Sequence, residues 1–177
     1  GETFVSLGFN SSEAKEPPFS KAPPARNNLI GMSYLYVAED PYTACAEIRP
    51  NTSLVSLSEF EAKRDMHIIN FCEDKEVSAF TNYLEEFHMS PAVILTKIMQ
   101  AYSLPDHINY SYQLTQFFSD RIRKAGFDGV KYKSSITGGH NVTIFNSHES
   151  VIQWKSSRLV FIPHPQYPIA EFHLCFP

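Results

Sequence analysis

The stretch MSYLYVAEDPYTACAEIRP, residues 32–50, leaves the backbone few choices. MSYLYVA is dense in aromatic and apolar residues that suit a pleated strand. Asp40-Pro41 then changes the conformation of the chain. An aspartate N-cap accepts hydrogen bonds from the first unpaired N–H groups of a helix. Proline is tolerated at the first helical position, where no N–H is needed. YTACAEI continues as a helix and stops near Pro50. A strand must therefore hand over to a short helix at once. Arg26 precedes the strand and Glu47 lies on the helix after it.

The remaining segments are read in the same way. ETFVSLGF is an opening strand, and the proline-rich NSSEAKEPPFSKAPPARNN is a loop. TSLVSLSEF alternates as a half-buried strand does, and MHIINF is another strand. KEVSAFTNYLEEF and PAVILTKIMQAY carry helical spacing, with Pro91 opening the second. LTQFFSDRIRKAG places Leu114, Phe117, Phe118, Ile122 and Ala125 on one helical face, and Gly126 ends it. A strand over residues 130–132, a flexible TGGH loop and the strand NVTIF follow. VIQW, RLVFI and IAEFHLCF read as three further strands, with PHPQYP as a break. There is no internal repeat and no regular βαβ alternation. The order predicts an α+β fold with a split, largely antiparallel β-sheet core flanked by helices.

A chain of 177 residues suits a single domain with its own core. It opens on Gly1 rather than Met, which reads as a tag remnant or the start of a domain excised from a longer protein. A net charge of −4 without a basic run argues against a nucleic-acid partner. No stretch approaches the ~20 apolar residues of a membrane helix, and no signal peptide opens the chain. Cys45, Cys72 and Cys175 are odd in number and widely spaced. That points away from a disulfide framework and toward a reducing, cytoplasmic setting.

The common catalytic motifs are absent: no P-loop, no dinucleotide fingerprint, no H-E-x-x-H and no nucleophile elbow. His67, His88, His140 and His148 are scattered, so no metal site is expected. Cys45 lies close to Glu47 but has no indicated His partner, and reads as structural. What remains is Arg26, Tyr36, Glu47, Ser134 and Ser135, with the glycine loop at Gly138 and Gly139. The planar fork of an arginine suits a pyrophosphate or a carboxylate. Tyr34 and Tyr36 share one face of a strand. Ser134 ends a strand where backbone N–H groups are free to meet a ligand. The plainer alternatives are a surface pair of Arg26 with Glu47, two core tyrosines, and a serine that caps a turn.

Two segments together, ARNNLIGMSYLYVAEDPYTACAEIRP and YQLTQFFSDRIRKAGFDGVKYKSSITGGHNVTIFN, resemble the RES domain family, named for an Arg, a Glu and a Ser. Its R-x-N-x-x-G element corresponds to Arg26, Asn28 and Gly31, and its Y-x-A strand end to Tyr36 and Ala38. The helical Glu is Glu47, followed by Arg49-Pro50. Thr115-Gln116 opens the later helix, and G-F-D-G-[IV]-x-Y runs from Gly126 to Tyr132. Ser134, Gly138, Gly139 and Asn141 complete the pattern. The resemblance covers about residues 19–145, with Ile30 standing where a proline often precedes the glycine. The segment 149–177 reads as a strand-rich extension that could serve a partner or a neighbouring domain.

The resemblance implies an ADP-ribosyltransferase-like fold and an NAD+-degrading toxin, often countered by an Xre-like antitoxin. It implies cleavage of the nicotinamide–ribose bond by water or by inorganic phosphate, with NAD+ as substrate and no cofactor or metal. Arg26, Tyr36, Glu47 and Ser134 would be catalytic. Asn28, Tyr34, Ser135, Gly138, Gly139 and Asn141 would bind substrate. Two rivals stand beside this reading: an ADP-ribosyltransferase acting on a macromolecule, and a non-catalytic NAD or nucleotide-binding module.

Overall fold

The computed structural model describes residues 8–72 and 112–162. Within them the chain forms β1 (Leu35–Ala38), α1 (Pro41–Glu47), β2 (Leu54–Ala62), β3 (Ile68–Asn70), α2 (Gln113–Lys124), β4 (Gly129–Lys133), β5 (His140–Ile144) and β6 (Ile152–Phe161). One sheet has the order β1-β5-β4-β3, and β2 pairs with β6 in a second. Only the β3–β4 pairing is parallel. This is an α+β arrangement with a split, largely antiparallel sheet. Most of ETFVSLGF, the helices KEVSAFTNYLEEF and PAVILTKIMQAY, the strand IAEFHLCF, His88 and Cys175 lie outside the described residues. Among the described residues no helix is long and apolar enough to cross a membrane.

The four-stranded sheet is apolar on both faces, as strand periodicity of two allows. Tyr34, Val130 and Tyr132 point to one side and pack with Phe71, Ile122 of α2 and Phe145. Leu35 and Ile144 point to the other and pack with Ile152, Val37, Phe60 and Val142. Asp40 caps α1 as expected, its Oδ1 accepting from the Thr43 N–H at 2.8 Å. The helix closes through Arg49 in the left-handed region (φ +43°), a position that glycine usually takes, just before Pro50.

Two expectations fail here for physical reasons. VIQW and RLVFI are not separate strands: β6 runs unbroken through Lys155, Ser156 and Ser157. Those polar residues mark no turn. Lys155 is the extra residue of a bulge opposite Glu59 and Phe60, and the Ser157 hydroxyl bonds that of Ser58 at 2.7 Å. The buried face of α2 is also not the apolar stripe. Leu114 and Phe117 are more than half exposed, while Thr115, Gln116, Ser119 and Ile122 are buried. A polar helix face can be buried when each group finds a partner, and these do.

Asp128 locks the turn between α2 and β4. Its carboxylate takes both Nη atoms of Arg64, at 2.5 and 2.9 Å, and the His67 N–H at 2.9 Å. Its backbone N–H bonds the His67 carbonyl and its carbonyl accepts from Phe145 N–H. The Arg64 hydrogen bonds hold the Asp128 carboxyl below its ordinary range. A carboxyl lowered in the folded state stabilises the fold above its unfolded pKa of about 3.9 and ceases to do so as pH falls through the folded value. Asp128→Asn should therefore cost roughly 1–3 kcal/mol near neutral pH. The melting-point gap between variant and wild type should narrow below about pH 4. A pH-independent gap in melting curves would show that the ion pair is not the cause.

Candidate active site

Arg26 sits in a loop whose backbone is tied from three elements. Ala25 and Asn28 exchange backbone hydrogen bonds of 3.1 and 3.3 Å. From α2, Thr115 Oγ1 donates to the Arg26 carbonyl and Gln116 Nε2 to the Ala25 carbonyl. Asn27, 1% exposed, donates from Nδ2 to Thr143 Oγ1 of β5 at 2.7 Å and accepts at Oδ1 from Ser119 Oγ at 3.1 Å. From β1, the Tyr36 hydroxyl donates to Asn28 Oδ1 at 2.6 Å and accepts from the Asn27 N–H at 3.1 Å. The Arg26 guanidinium carbon lies 5.0 Å from the centre of the Tyr132 ring.

Glu47 ends α1 and faces the mouth of β4 and β5. Its Oε1 accepts from Ser134 Oγ at 2.7 Å and from Asn141 Nδ2 at 2.6 Å. Among the described residues, Oε2 has no hydrogen-bond partner. Ser134 is fully committed: its hydroxyl donates to Glu47 and accepts from the Ile136 and Thr137 N–H groups at 3.1 and 3.0 Å. Such a hydroxyl orients a carboxylate and is poorly placed to attack. Glu47 takes these bonds from Ser134 and Asn141 rather than from Arg26, so a simple Arg26–Glu47 surface pair is not what forms.

A cavity of about 870 Å³ opens between β1, α1 and the β2–β6 pair. Tyr36, Glu47 and Asn141 line it, together with Tyr132, Cys45 and Arg158. Arg26 and Ser134 lie outside that lining, and Tyr132 is common to the cavity and to the Arg26 contact. Burial raises the Tyr36 hydroxyl far above the usual range, and burial raises that of Tyr132 as well. Both rings therefore stay neutral in water. Burial also raises the Cys45 thiol, which weakens it as a nucleophile.

Several of the residues expected to bind substrate make contacts within the fold. Tyr34 belongs to the core, 5% exposed, with its ring 5.0 Å from that of Phe145. Asn28 spends its amide on the carbonyls of Pro23, Leu29 and Met32. The N–H groups of Ser134, Ile136, Thr137 and Gly139 are all used within the 134–139 loop, so they do not wait for a ligand. A Cβ on Gly139 would stand 2.0 Å from Thr43 Oγ1, so glycine is needed there for close approach to α1. Gly138 has open space around it, and Ser135 makes no hydrogen bond among the described residues.

The sequence pattern includes Thr115, Gln116 and Tyr132 without giving them a role in the site, and it does not single out Asn27, Ser119 and Thr143. The available signal along α2 was the polar positions 115, 116 and 119, of which 115 and 116 each lie about one turn from 119.

No curated protein matches the chain. A family match does run along residues 9–170, past the motif-bearing stretch and through the whole of β6. With that match covering most of its length, the chain belongs to the RES domain family.

Proposed function

We propose that the chain consumes NAD+ by cleaving the bond between nicotinamide and ribose, as a glycohydrolase or a phosphorylase. Family membership supports an NAD+-related function in general. The observation that carries the finer reading is the Glu47 carboxylate, with one oxygen fixed by Ser134 and Asn141, on a residue that lines a cavity. NAD+ carries a cationic leaving group, and its ribose passes through an oxocarbenium-like state as the C–N bond breaks. A preorganised carboxylate beside the anomeric carbon stabilises the charge that grows there and binds a ribose hydroxyl. This interaction is stronger in the transition state than in the ground state, which is what accelerates the step. Tyr36 packs on the sugar or nicotinamide and excludes water from that side. Arg26 holds the pyrophosphate, a task for which its fork is better shaped than an ammonium. In this proposal a toxin role, opposed by an Xre-like antitoxin, rests on family resemblance alone.

The test is incubation of purified protein with NAD+, with and without phosphate, and chromatography of the products. Nicotinamide should appear in both arms if water is the acceptor, and only in the arm with phosphate if phosphate is. ADP-ribose alone identifies water as the acceptor, and a phosphorylated ADP-ribose identifies phosphate. Attachment of ADP-ribose to an added macromolecule would favour the transferase instead. NAD+ that survives long incubation at high protein concentration, from a sample that melts as a folded domain, would exclude the proposal.

A further inference from the structure

We propose that Tyr132 is a positioning residue for Arg26, and that its ring face keeps this arginine set for an anionic phosphate group of the substrate. This rests on the reading of the site given above and adds a residue that the reading did not use.

The argument starts from what an arginine needs in order to serve a phosphate. A guanidinium on a flexible stem must be fixed, or ordering it costs affinity at every binding event. A carboxylate could fix it, but it would cancel the charge that the phosphate requires and compete for the N–H fork. An aromatic face fixes a cation through the ring quadrupole and adds no negative charge. Tyr132 offers that face 5.0 Å from the guanidinium carbon of Arg26.

The ring itself is held by the core on which it packs. It is 5% exposed and belongs to the core cluster with Tyr34, Ile122, Val130 and Phe145. Its strand partner in the β4–β5 register is Asn141, the residue that grips Glu47. The side chain also lines the cavity that Glu47 lines. Tyr132 therefore stands between the arginine and the carboxylate, on a strand that cannot slip without moving both. The hydroxyl lies close to Thr143 and is kept neutral by burial, so Tyr132 brings no negative charge to its contact with Arg26.

The measurement is calorimetric titration with ADP-ribose, which carries the pyrophosphate and has no bond left to cleave, beside a melting curve for each sample. Tyr132→Phe keeps the face and should bind within about twofold of wild type. Tyr132→Met keeps apolar bulk without a face and should bind roughly 5- to 30-fold more weakly, the range of one cation–π contact. In an Arg26→Ala background, Tyr132→Met should change the affinity no further, because its effect passes through Arg26. A full additional loss in that background would overturn the proposal. So would a Phe variant as weak as the Met variant. Should Tyr132→Met fail to melt cooperatively, the Phe variant decides: weakened binding in a folded Phe variant overturns the proposal, and unchanged binding supports it. Wild-type protein that binds no ADP-ribose would sink the reading of the site itself, and this proposal with it. Wild-type binding with additive variants would sink this proposal alone.

Discussion

Glu47→Gln is expected to leave the fold intact and to slow nicotinamide release by about 10²–10³-fold, the usual loss for one preorganised electrostatic group. The geometry makes this a clean substitution. Glu47 Oε1 accepts from Ser134 and Asn141. A glutamine amide oxygen in the same place can accept both bonds. The new NH₂ replaces Oε2, which makes no hydrogen bond among the described residues. No buried group loses a partner, so the melting point should stay within about 3 °C, under ~1 kcal/mol for a domain of this size. What disappears is negative charge beside the anomeric carbon. That charge matters most as the nicotinamide departs, so turnover should fall much further than affinity for NAD+. Rate, titration and melting curve on one preparation separate the possibilities. A variant that melts and turns over like wild type would show that the glutamate of TACAEIRP is not catalytic.

Asn27→Ala should be the most damaging single change to the fold among the residues around the site. Asn27 is 1% exposed, and its two hydrogen-bonding partners, Thr143 and Ser119, are each 0% exposed. Truncation leaves two buried hydroxyls without this partner and opens a small void. One unsatisfied buried group costs about 1–3 kcal/mol, so a total of roughly 3 kcal/mol is expected, or about 6–12 °C in melting temperature. The Arg26 loop should slacken as well, and substrate affinity should fall even where the protein remains folded. Thermal unfolding within about 2 °C of wild type would mean that this network contributes little.

The strand-to-helix passage was legible because Asp40-Pro41 writes its own chemistry into the sequence, and the structure shows the cap in place. β2 was legible as a strand, but its alternation was not borne out: Val55 is buried, Leu54 is exposed, and Phe60, of opposite parity to Val55, packs against the core. The α2 face was not legible. Leu114 and Phe117 look like a core stripe, yet the helix buries Thr115, Gln116 and Ser119 because the backbone carbonyls of Arg26 and Ala25 and the side chain of Asn27 wait for them. A carbonyl is present at every residue and leaves no mark in a pattern. Tyr34 and Tyr36 carry the same residue type on the same strand face, and only packing separates a core ring from a cavity wall. Gly139 looked like a ligand loop because glycine permits both close ligand approach and close helix approach, and here the neighbour is Thr43.

Four of the bonds that shape this site are long in sequence. Thr115 reaches Arg26 across 89 positions, Ser119 reaches Asn27 across 92, Ser134 reaches Glu47 across 87, and Asn141 reaches Glu47 across 94. Contacts of that kind are slow to form, because a large loop must close before they return any stability. They also impose an order on synthesis, since a chain emerges from its N-terminus. Arg26, Tyr36 and Glu47 are made early, while the helix and strands that aim them come from the later part of the chain. A nascent chain halted at any point before Asn141 carries both charged groups of the site and lacks a bond that sets the carboxylate. On the function proposed above, activity should therefore require synthesis through Asn141, and chains terminated before it should be inert rather than merely weakened.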